Sequence, residues 1–227
     1  RFYDDLFNIT PEKIVAVAEE LDRRKLKITW DFRGRVNTVT KDSLARAKQS
    51  GLRLISFGVE TGSDEGLKLM KKGTNTAKIS NAFRWCRELG IKSVADFIIG
   101  LPHEKTVADV QANLRFLYSL DPDYAQVSIL TLYPGTPMYD EAVAKGVVAP
   151  GRWQEFARNP TPGFIADHWE ENLDFRTIAN LQKSAYRNFY FRPRYIMRSI
   201  IQTKSVYEFF SKAAGAFKLL PRNLRSA

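Results

Sequence analysis

Sulfur and imidazole ligands are scarce in this chain of 227 residues, which has one cysteine, Cys86, and two histidines. A single cysteine excludes an internal disulfide framework and any cluster that needs three thiolates from this chain. A zinc site of cysteine and histidine also requires more ligands than these. We therefore expect no metal site built by the chain itself, and we expect Cys86 to be a small buried hydrophobe in a reducing, cytoplasmic compartment.

Long apolar runs are also missing, since none approaches the roughly 18 residues needed to span a bilayer. The N-terminal segment RFYDDLF lacks the pattern of a signal peptide, and because it does not begin with Met we expect the chain to be part of a longer polypeptide. The composition, 44% hydrophobic and 26% charged, is that of a globular protein.

Acidic residues are nearly absent from the C-terminal quarter. Residues 176–227 contain one acid, Glu208, against 11 basic residues: Arg176, Lys183, Arg187, Arg192, Arg194, Arg198, Lys204, Lys212, Lys218, Arg222 and Arg225. The net charge of +10 therefore resides in this segment. Nine aromatic residues alternate with the cations, namely Tyr186, Phe189, Tyr190, Phe191, Tyr195, Tyr207, Phe209, Phe210 and Phe217.

The first two thirds of the chain alternate between apolar strands and amphipathic helices. A strand is expected to end in residues 1–7 and others to span residues 26–32, 52–58, 93–100 and 124–132. Helices are expected at residues 10–24, 40–50, 64–72, 76–89, 106–120 and 136–145. This alternation is typical of parallel βαβ units, and the absence of a Gly-x-Gly-x-x-Gly loop favours a barrel or part-barrel over a dinucleotide-binding sheet.

Three segments divide the chain by composition. We expect a part-barrel over residues 1–148, a loop-rich connector over 149–173 and a basic aromatic helical extension over 174–227, in which Asp174 caps the first helix.

The segment LISFGVETGSDEGLKLMKK, residues 54–72, carries the first sign of a binding site. Glu60 follows the break at Gly58, and Lys72 ends the next helix. A carboxylate at a strand end accepts hydrogen bonds from hydroxyls or an ammonium, while a lysine pairs with a carboxylate, so the two suit a small zwitterion. An ordinary βα junction with a solvated acid and surface lysines, Lys71 among them, remains the alternative.

Five motifs in order at the strand ends resemble the radical S-adenosylmethionine (SAM) superfamily, in particular its cobalamin-associated branch. The motifs are Phe2, Asp4, Asp5 and Phe7; Arg35; Gly58 to Ser63 with Leu67 and the Lys71-Lys72-Gly73 end; Asp96 to Pro102; and Leu132 to Pro137. The resemblance covers residues 1–148 and implies strands 2–6 of a partial (βα)6 TIM-like barrel, with the C-terminal helices as an extension.

The resemblance also implies a role for particular residues. Asp4 and Asp5 fall where the SAM amino group binds, Glu60 and Asp96 where the ribose hydroxyls bind, and Lys72 where the carboxylate binds. Arg35 belongs to the same set. The backbones of Gly100 and Pro102 and the turn of Tyr133, Pro134 and Gly135 would flank the adenine. Structural alternatives are helix capping for the two aspartates and solvated surface charge for Glu60 and Lys72.

The family's [4Fe-4S] cluster is held by a C-x3-C-x2-C loop after the first strand, and this chain has no such loop. The resemblance thus implies a portion of an enzyme that is inactive alone, with the cluster and cobalamin held upstream and a reductant protein as partner. The parent would use a 5'-deoxyadenosyl radical or a cobalamin-borne methyl group on a hydrophobic substrate such as a porphyrin or lipid. No catalytic residue is assigned.

The basic aromatic segment 176–227 is typical of interfacial helices, so we expect a surface peripheral to the inner membrane. Packing of these aromatics against the barrel is the alternative. Within the enzyme class, a tRNA-modifying radical SAM enzyme is the alternative. A non-enzymatic nucleic-acid-binding module is a further alternative, although it would leave the strand-end pattern unexplained.

Overall fold

The computed structural model describes residues 1–4 and 7–202 and contains one four-stranded parallel sheet in the order β1-β2-β3-β4. The strands are β1 (Trp30–Gly34), β2 (Leu52–Glu60), β3 (Lys92–Ile99) and β4 (Tyr124–Ile129). The predicted α/β class with parallel strands is confirmed. The sheet is an open part of a barrel, in which each strand is followed by at least one helix.

The helices lie close to their predicted positions. They are α1 (Pro11–Arg23), α2 (Lys41–Gln49), α3 (Asp64–Leu69), α4 (Thr76–Glu88), α5 (Val107–Leu120), α6 (Pro137–Ala144), α7 (Arg152–Arg158), α8 (Phe175–Tyr190) and α9 (Pro193–Gln202), with a short 3-10 turn at Val36–Thr38. Thr40 and Thr106 form capping boxes, and Asp174 caps α8 by accepting a hydrogen bond from the Thr177 N–H. Helix α7 lies within the segment that the sequence predicts to be loop-rich.

The strand predicted at residues 26–32 is wrong in its first half. Leu26 and Ile28 are exposed, and the Ile28 N–H bonds to the Leu26 carbonyl within a turn instead of to a neighbouring strand. Gly51 explains the break, because a Cβ there would lie 2.1 Å from the Ile28 carbonyl oxygen. The close approach lets the Trp30 N–H bond to the Gly51 carbonyl, so pairing begins at Trp30.

Among the described residues, the N-terminal segment pairs with the sheet through one backbone bridge. Phe2 lies parallel to Phe32, and its N–H donates to the Asp31 carbonyl at 2.9 Å. The side chains of Phe2 and Phe7 pack on Trp30 and Phe32, with ring centroids 4.6–5.7 Å apart in the closest pairs. This segment therefore extends the sheet beyond β1 by one pair, which agrees with a strand that ends in residues 1–7.

The two faces of the sheet differ in chemistry. Alternate side chains such as Ile55, Phe57 and Phe97 are buried beneath the helices. The residues between them, such as Ser56 and Asp96, face the concave side and line two cavities. The sequence period of two thus separates an apolar core from a polar interior.

Helix α8 covers the outer edge of β4. The Tyr186 hydroxyl accepts from the Val127 N–H at 2.9 Å and donates to its carbonyl at 3.1 Å, and the Gln182 side-chain amide donates to the same carbonyl at 2.7 Å. The Tyr190 hydroxyl makes longer bonds to the backbone of Ala125. Side chains therefore supply hydrogen bonds that a neighbouring strand would otherwise give.

Helix α9 is fixed at its base by arginines around Asp121. The side chains of Arg192, Arg194 and Arg198 lie within 3.3–3.7 Å of this carboxylate, which is 9% exposed. Of the nine predicted tail aromatics, Tyr186, Phe189, Tyr190 and Tyr195 pack on the barrel and Phe191 is half-buried, while those beyond position 202 lie outside the described residues. Within residues 1–4 and 7–202, no helix combines the length and hydropathy needed to cross a bilayer.

Candidate functional site

Glu60 lies at the carboxyl end of β2 in an unusual backbone conformation. Its φ is +69°, which a residue with a side chain adopts at some cost in energy. The register against β3 slips between Gly58 and Glu60, so the buried Val59 is the extra residue of a bulge. A Cβ on Gly58 would lie 2.7 Å from Glu60 Oε1. The bulge and the missing Cβ together allow the carboxylate to lie over the end of the strand.

Lys72 reaches back from the end of α3 to this carboxylate. Its Nζ lies 3.0 Å from Glu60 Oε1, and the two side chains are 23% and 20% exposed. The turn that carries it has Lys71 at a φ of +51° and closes with a bond from the Lys72 N–H to the Leu67 carbonyl. Lys71 itself is exposed. The structure thus brings Lys72, and not Lys71, to the strand end.

Asp96 lies on the concave face of β3 with an incompletely bonded carboxylate. Its Oδ2 accepts from the Ser56 hydroxyl at 2.8 Å and lies 3.5 Å from the Arg33 guanidinium, whereas its buried Oδ1 has no hydrogen-bond partner among the described residues. Burial raises the pKa of this carboxyl, while Ser56 and Arg33 oppose the rise. An orphaned acceptor of this kind is satisfied by a ligand that donates a hydrogen bond.

These acids and bases line one cleft at the carboxyl ends of the strands, with a volume of about 460 Å³. We call it the strand-end cleft, and its lining residues are Arg33, Gly34, Arg35, Ser56, Gly58, Glu60, Lys72, Asp96, Phe97, Ile98, Gln126 and Ser128. Four of the predicted site residues meet here: Arg35, Glu60, Lys72 and Asp96. The cleft places two acids, three cations and apolar atoms within reach of one small molecule.

Several lining residues were missed by sequence reasoning. Arg33, Ser56, Gln126 and Ser128 alternate with buried apolar residues inside β1, β2 and β4, so each reaches the concave face. The polar residue at every second position of an otherwise apolar strand was the available signal. Only the pairing register shows that they lie opposite one another, as Asp96 does with Gln126.

Asp4 lies beside a neighbouring cavity instead of the strand-end cleft. Its carboxylate is exposed and forms an ion pair of 3.3 Å with Lys13 of α1, and it does not cap that helix. Asp5 lies outside the described residues. The proposed role of this pair toward an amino group stays a prediction.

The residues predicted to flank an adenine do not line the strand-end cleft. Gly100 and Pro102 follow β3, where Gly100 has a φ of +78° beneath Ile178. Tyr133, Pro134 and Gly135 form an exposed turn, with Tyr133 packed on Trp153 at 5.2 Å between ring centroids. Their contact with a ligand likewise stays a prediction.

A buried acid below the cleft joins two of the strand ends. Glu104, 3% exposed, accepts from the N–H groups of Gly100 and Leu101 at 2.7 and 2.9 Å and from the Asn113 side chain at 2.8 Å. Asn113 in turn accepts from the Gly62 N–H. Burial raises the pKa of Glu104, although these donors oppose the rise. Glu104 and Asn113 together fix the turns after β2 and β3 relative to each other.

An iron–sulfur cluster does not fit this chain. Cys86 is fully buried within α4, and burial raises the pKa of its thiol to about 12, so a thiolate is disfavoured there. No group of three or more metal-ligating side chains occurs among residues 1–4 and 7–202. Any cluster must take its cysteines from elsewhere, because the chain contains only this one.

A parallel part-barrel with acids and a lysine at its carboxyl strand ends defines a class of proteins that bind small charged ligands at that edge. A family model described as the radical SAM superfamily matches residues 2–117, just over half of the chain. The chain therefore belongs to the radical SAM superfamily. The recognition made from the strand-end motifs is confirmed, and membership implies SAM and a [4Fe-4S] cluster as cofactors of the family.

The relatives agree with this assignment. An uncharacterized methyltransferase of Pyrococcus horikoshii is 29% identical over 201 residues, which cover 88% of this chain and 42% of the relative. An anaerobic magnesium-protoporphyrin IX monomethyl ester cyclase of Cereibacter sphaeroides is 32% identical over 142 residues, or 61% of this chain and 23% of the relative. This chain spans less than half the length of these curated relatives.

A solved structure of a radical SAM enzyme is also similar to this chain. The radical SAM methyltransferase TsrM from Kitasatospora setae, determined with cobalamin and a [4Fe-4S] cluster bound, aligns with a TM-score of 0.55 and 25% identity. The alignment covers 65% of this chain and 31% of TsrM. The resemblance to the cobalamin-associated branch thus extends from sequence motifs to the fold.

Proposed function

We propose that this chain is the SAM-binding part-barrel of a longer radical SAM enzyme, and that the strand-end cleft holds SAM. The observation that carries the proposal is the orphaned Oδ1 of Asp96, which lies in the same cleft as the Glu60–Lys72 pair. Family membership supports SAM as the ligand, and the chemistry of the cleft fits it.

The ribose and the carboxylate of SAM each have complementary groups in the cleft. Asp96 Oδ1 and the Glu60 carboxylate accept hydrogen bonds from ribose hydroxyls. The Lys72 ammonium, which pairs with Glu60 in this structure, would release Glu60 and pair with the ligand carboxylate. Ile98, on the same face of β3 as Asp96, contributes apolar atoms to the lining. The Glu104–Asn113 pair keeps the turns after β2 and β3 in place, so the cleft needs little reorganisation to bind.

The cofactors supply the reactive chemistry, which in this superfamily is reductive cleavage of SAM at the cluster. This chain's residues hold and orient SAM, and cysteines elsewhere in the parent protein hold the cluster. For the parent we propose radical chemistry or methyl transfer on a hydrophobic substrate such as a porphyrin or a lipid, with cobalamin from another part of the protein and a reductant protein as electron source. The cyclase and methyltransferase relatives support this range of reactions.

The test is direct binding of SAM to the chain, measured by isothermal titration calorimetry. Glu60→Gln, Lys72→Gln and Asp96→Asn should each weaken binding about tenfold or more, because each removes a charge-assisted hydrogen bond. Glu65→Gln and Lys68→Gln are matched controls, since both residues are exposed on α3 outside the cleft. Equal affinity in the cleft variants and the controls would refute the site.

Peripheral binding to an anionic membrane is the localisation we propose. Helix α9 exposes Ile196, Met197, Ile200 and Ile201, with Arg194 77% exposed beside them. An apolar stripe flanked by cations is the pattern of interfacial helices.

Flotation with anionic and neutral vesicles tests the membrane contact of α9, with Met197→Gln/Ile201→Gln as the variant. Deleting residues 176–227 is a poor control because α8 supports β4. Equal flotation of wild type and variant would exclude α9 as the contact.

A further inference from the structure

A second cavity lies on the concave face of the sheet, next to the strand-end cleft. Its volume is about 590 Å³, within the range of small-molecule sites. It shares Arg33, Ser56 and Gln126 with the strand-end cleft, so the two spaces are contiguous. A molecule in this second cavity, which we call the interior cavity, would lie directly beside a ligand in the cleft.

The interior cavity has an apolar wall and a charged wall, and the charged wall holds Arg1, Arg33, Asp4 and Asp31. Phe2, Leu54 and Val94 contribute its apolar wall, because alternate residues of β2 and β3 point to the concave face. Arg33 projects from β1 across the same space toward β4. Asp31 pairs with Arg1 and Asp4 pairs with Lys13, so both acids already have partners. Arg33 is left to meet a negatively charged group on a ligand with an apolar body.

Arg33 is poorly paired for a cation on an inward face. Its Nη2 lies 3.5 Å from both Asp96 Oδ2 and Gln126 Oε1, at the outer limit of hydrogen bonding, and its side chain is 62% exposed. By contrast, the Arg1 guanidinium in the same cavity lies 2.5 Å from Asp31. The long ion pair with Asp96 leaves the guanidinium able to bind a second anion, and its planar fork matches a carboxylate.

We propose that the interior cavity is the substrate site, that it takes an apolar carboxylic acid, and that Arg33 binds the carboxylate. This inference rests on the proposed function, because SAM in the strand-end cleft is what makes the adjacent space a reaction site. Lys72 already provides a cation for the SAM carboxylate, which leaves Arg33 for the second ligand. Its position fixes the charged end of the substrate and leaves the apolar body on the wall of Leu54 and Val94.

The test uses the whole chain and two probes that differ only in charge, 11-(dansylamino)undecanoic acid and its methyl ester, titrated by fluorescence. We expect the acid to bind at least about tenfold more tightly than the ester, as one charge-assisted pair implies. Arg33→Gln should abolish this preference and leave the ester affinity unchanged. Arg84→Gln, an exposed cation on α4, should retain it. Val94→Phe should weaken both probes by filling the cavity.

Calorimetry with SAM separates this inference from the proposed function. Val94→Phe should bind SAM as the wild type does, because Val94 lines the interior cavity and not the strand-end cleft, whereas Lys72→Gln should not bind it. The inference is overturned if Arg33→Gln keeps the acid preference, if Val94→Phe leaves both probes unaffected, or if Lys72→Gln loses the acid preference together with SAM. If the wild type binds no SAM but still prefers the acid through Arg33, the proposed function fails and the interior site is supported.

Discussion

Replacing Tyr186 with phenylalanine tests whether α8 completes the sheet by hydrogen bonding to the edge of β4. The Tyr186 hydroxyl is the acceptor for the Val127 N–H at 2.9 Å, and Val127 is 2% exposed. After substitution this buried N–H has no acceptor, whereas the Val127 carbonyl still receives the Gln182 amide. An unsatisfied buried donor costs about 1–3 kcal/mol, so we expect a loss of about 2 kcal/mol in the free energy of unfolding.

The structure ranks three tyrosines for this experiment. Tyr190 makes longer bonds of 3.3–3.4 Å to Ala125, so Tyr190→Phe should cost less than Tyr186→Phe. The buried Tyr139 hydroxyl has no hydrogen-bond partner among the described residues, so Tyr139→Phe should be neutral or stabilising. Urea denaturation followed by circular dichroism gives all three values. If Tyr186→Phe and Tyr139→Phe have the same effect, the bonds to the edge strand contribute nothing and the reasoning is refuted.

Three further predictions follow from buried ionisable groups. Because burial raises the pKa of Asp96 above 3.8, the native state holds a proton that the unfolded state has lost. Stability should therefore fall as pH rises from the unfolded-state pKa of Asp96 to its native-state pKa. Asp96→Asn should make this slope shallower in denaturation curves recorded from pH 4 to 7, while Glu104, whose pKa is also raised by burial, keeps a contribution of the same sign. Glu104→Ala leaves the N–H groups of Gly100 and Leu101 without their acceptor and should cost about 3 kcal/mol in urea denaturation; a loss below about 1 kcal/mol would contradict the assigned network. The Cys86 thiol, buried and with its pKa raised to about 12, should react with Ellman's reagent only after unfolding, and rapid reaction of the native chain would show that α4 opens.

The part of the site that sequence reasoning predicted is the part that local chemistry marks. Glu60 and Lys72 follow glycines and a helix end that signal a βα junction, and Asp96 stands out as a charge within an apolar strand. Arg33 and Gln126 carried only the weaker signal of a polar residue that alternates with apolar ones in a strand. They matter because their side chains meet although β1 and β4 are separated by two other strands. That meeting depends on the register of all three strand pairs.

The sequence also could not decide which of Lys71 and Lys72 reaches the site. Both are adjacent cations at a helix end, and the left-handed conformation of Lys71 sends only Lys72 back to Glu60. Likewise, Leu26 and Ile28 resemble the start of a strand, yet the close contact of Gly51 with the Ile28 carbonyl delays pairing until Trp30. Each outcome depends on contacts between residues distant in sequence or on a backbone torsion that residue type does not fix.

The sequence by itself determined the α/β class, the parallel order of strands and helices, the superfamily and the absence of cluster-binding cysteines. These follow from hydrophobic period, capping residues, residue counts and motifs, all of which are local or additive along the chain. The tertiary structure alone decided that the second cavity adjoins the strand-end cleft, that Arg33 reaches across it, and that the aromatics of α8 cover the edge of β4. Strand pairing and helix docking bring these groups together, because burying both the apolar face and the open edge of the sheet requires one particular packing.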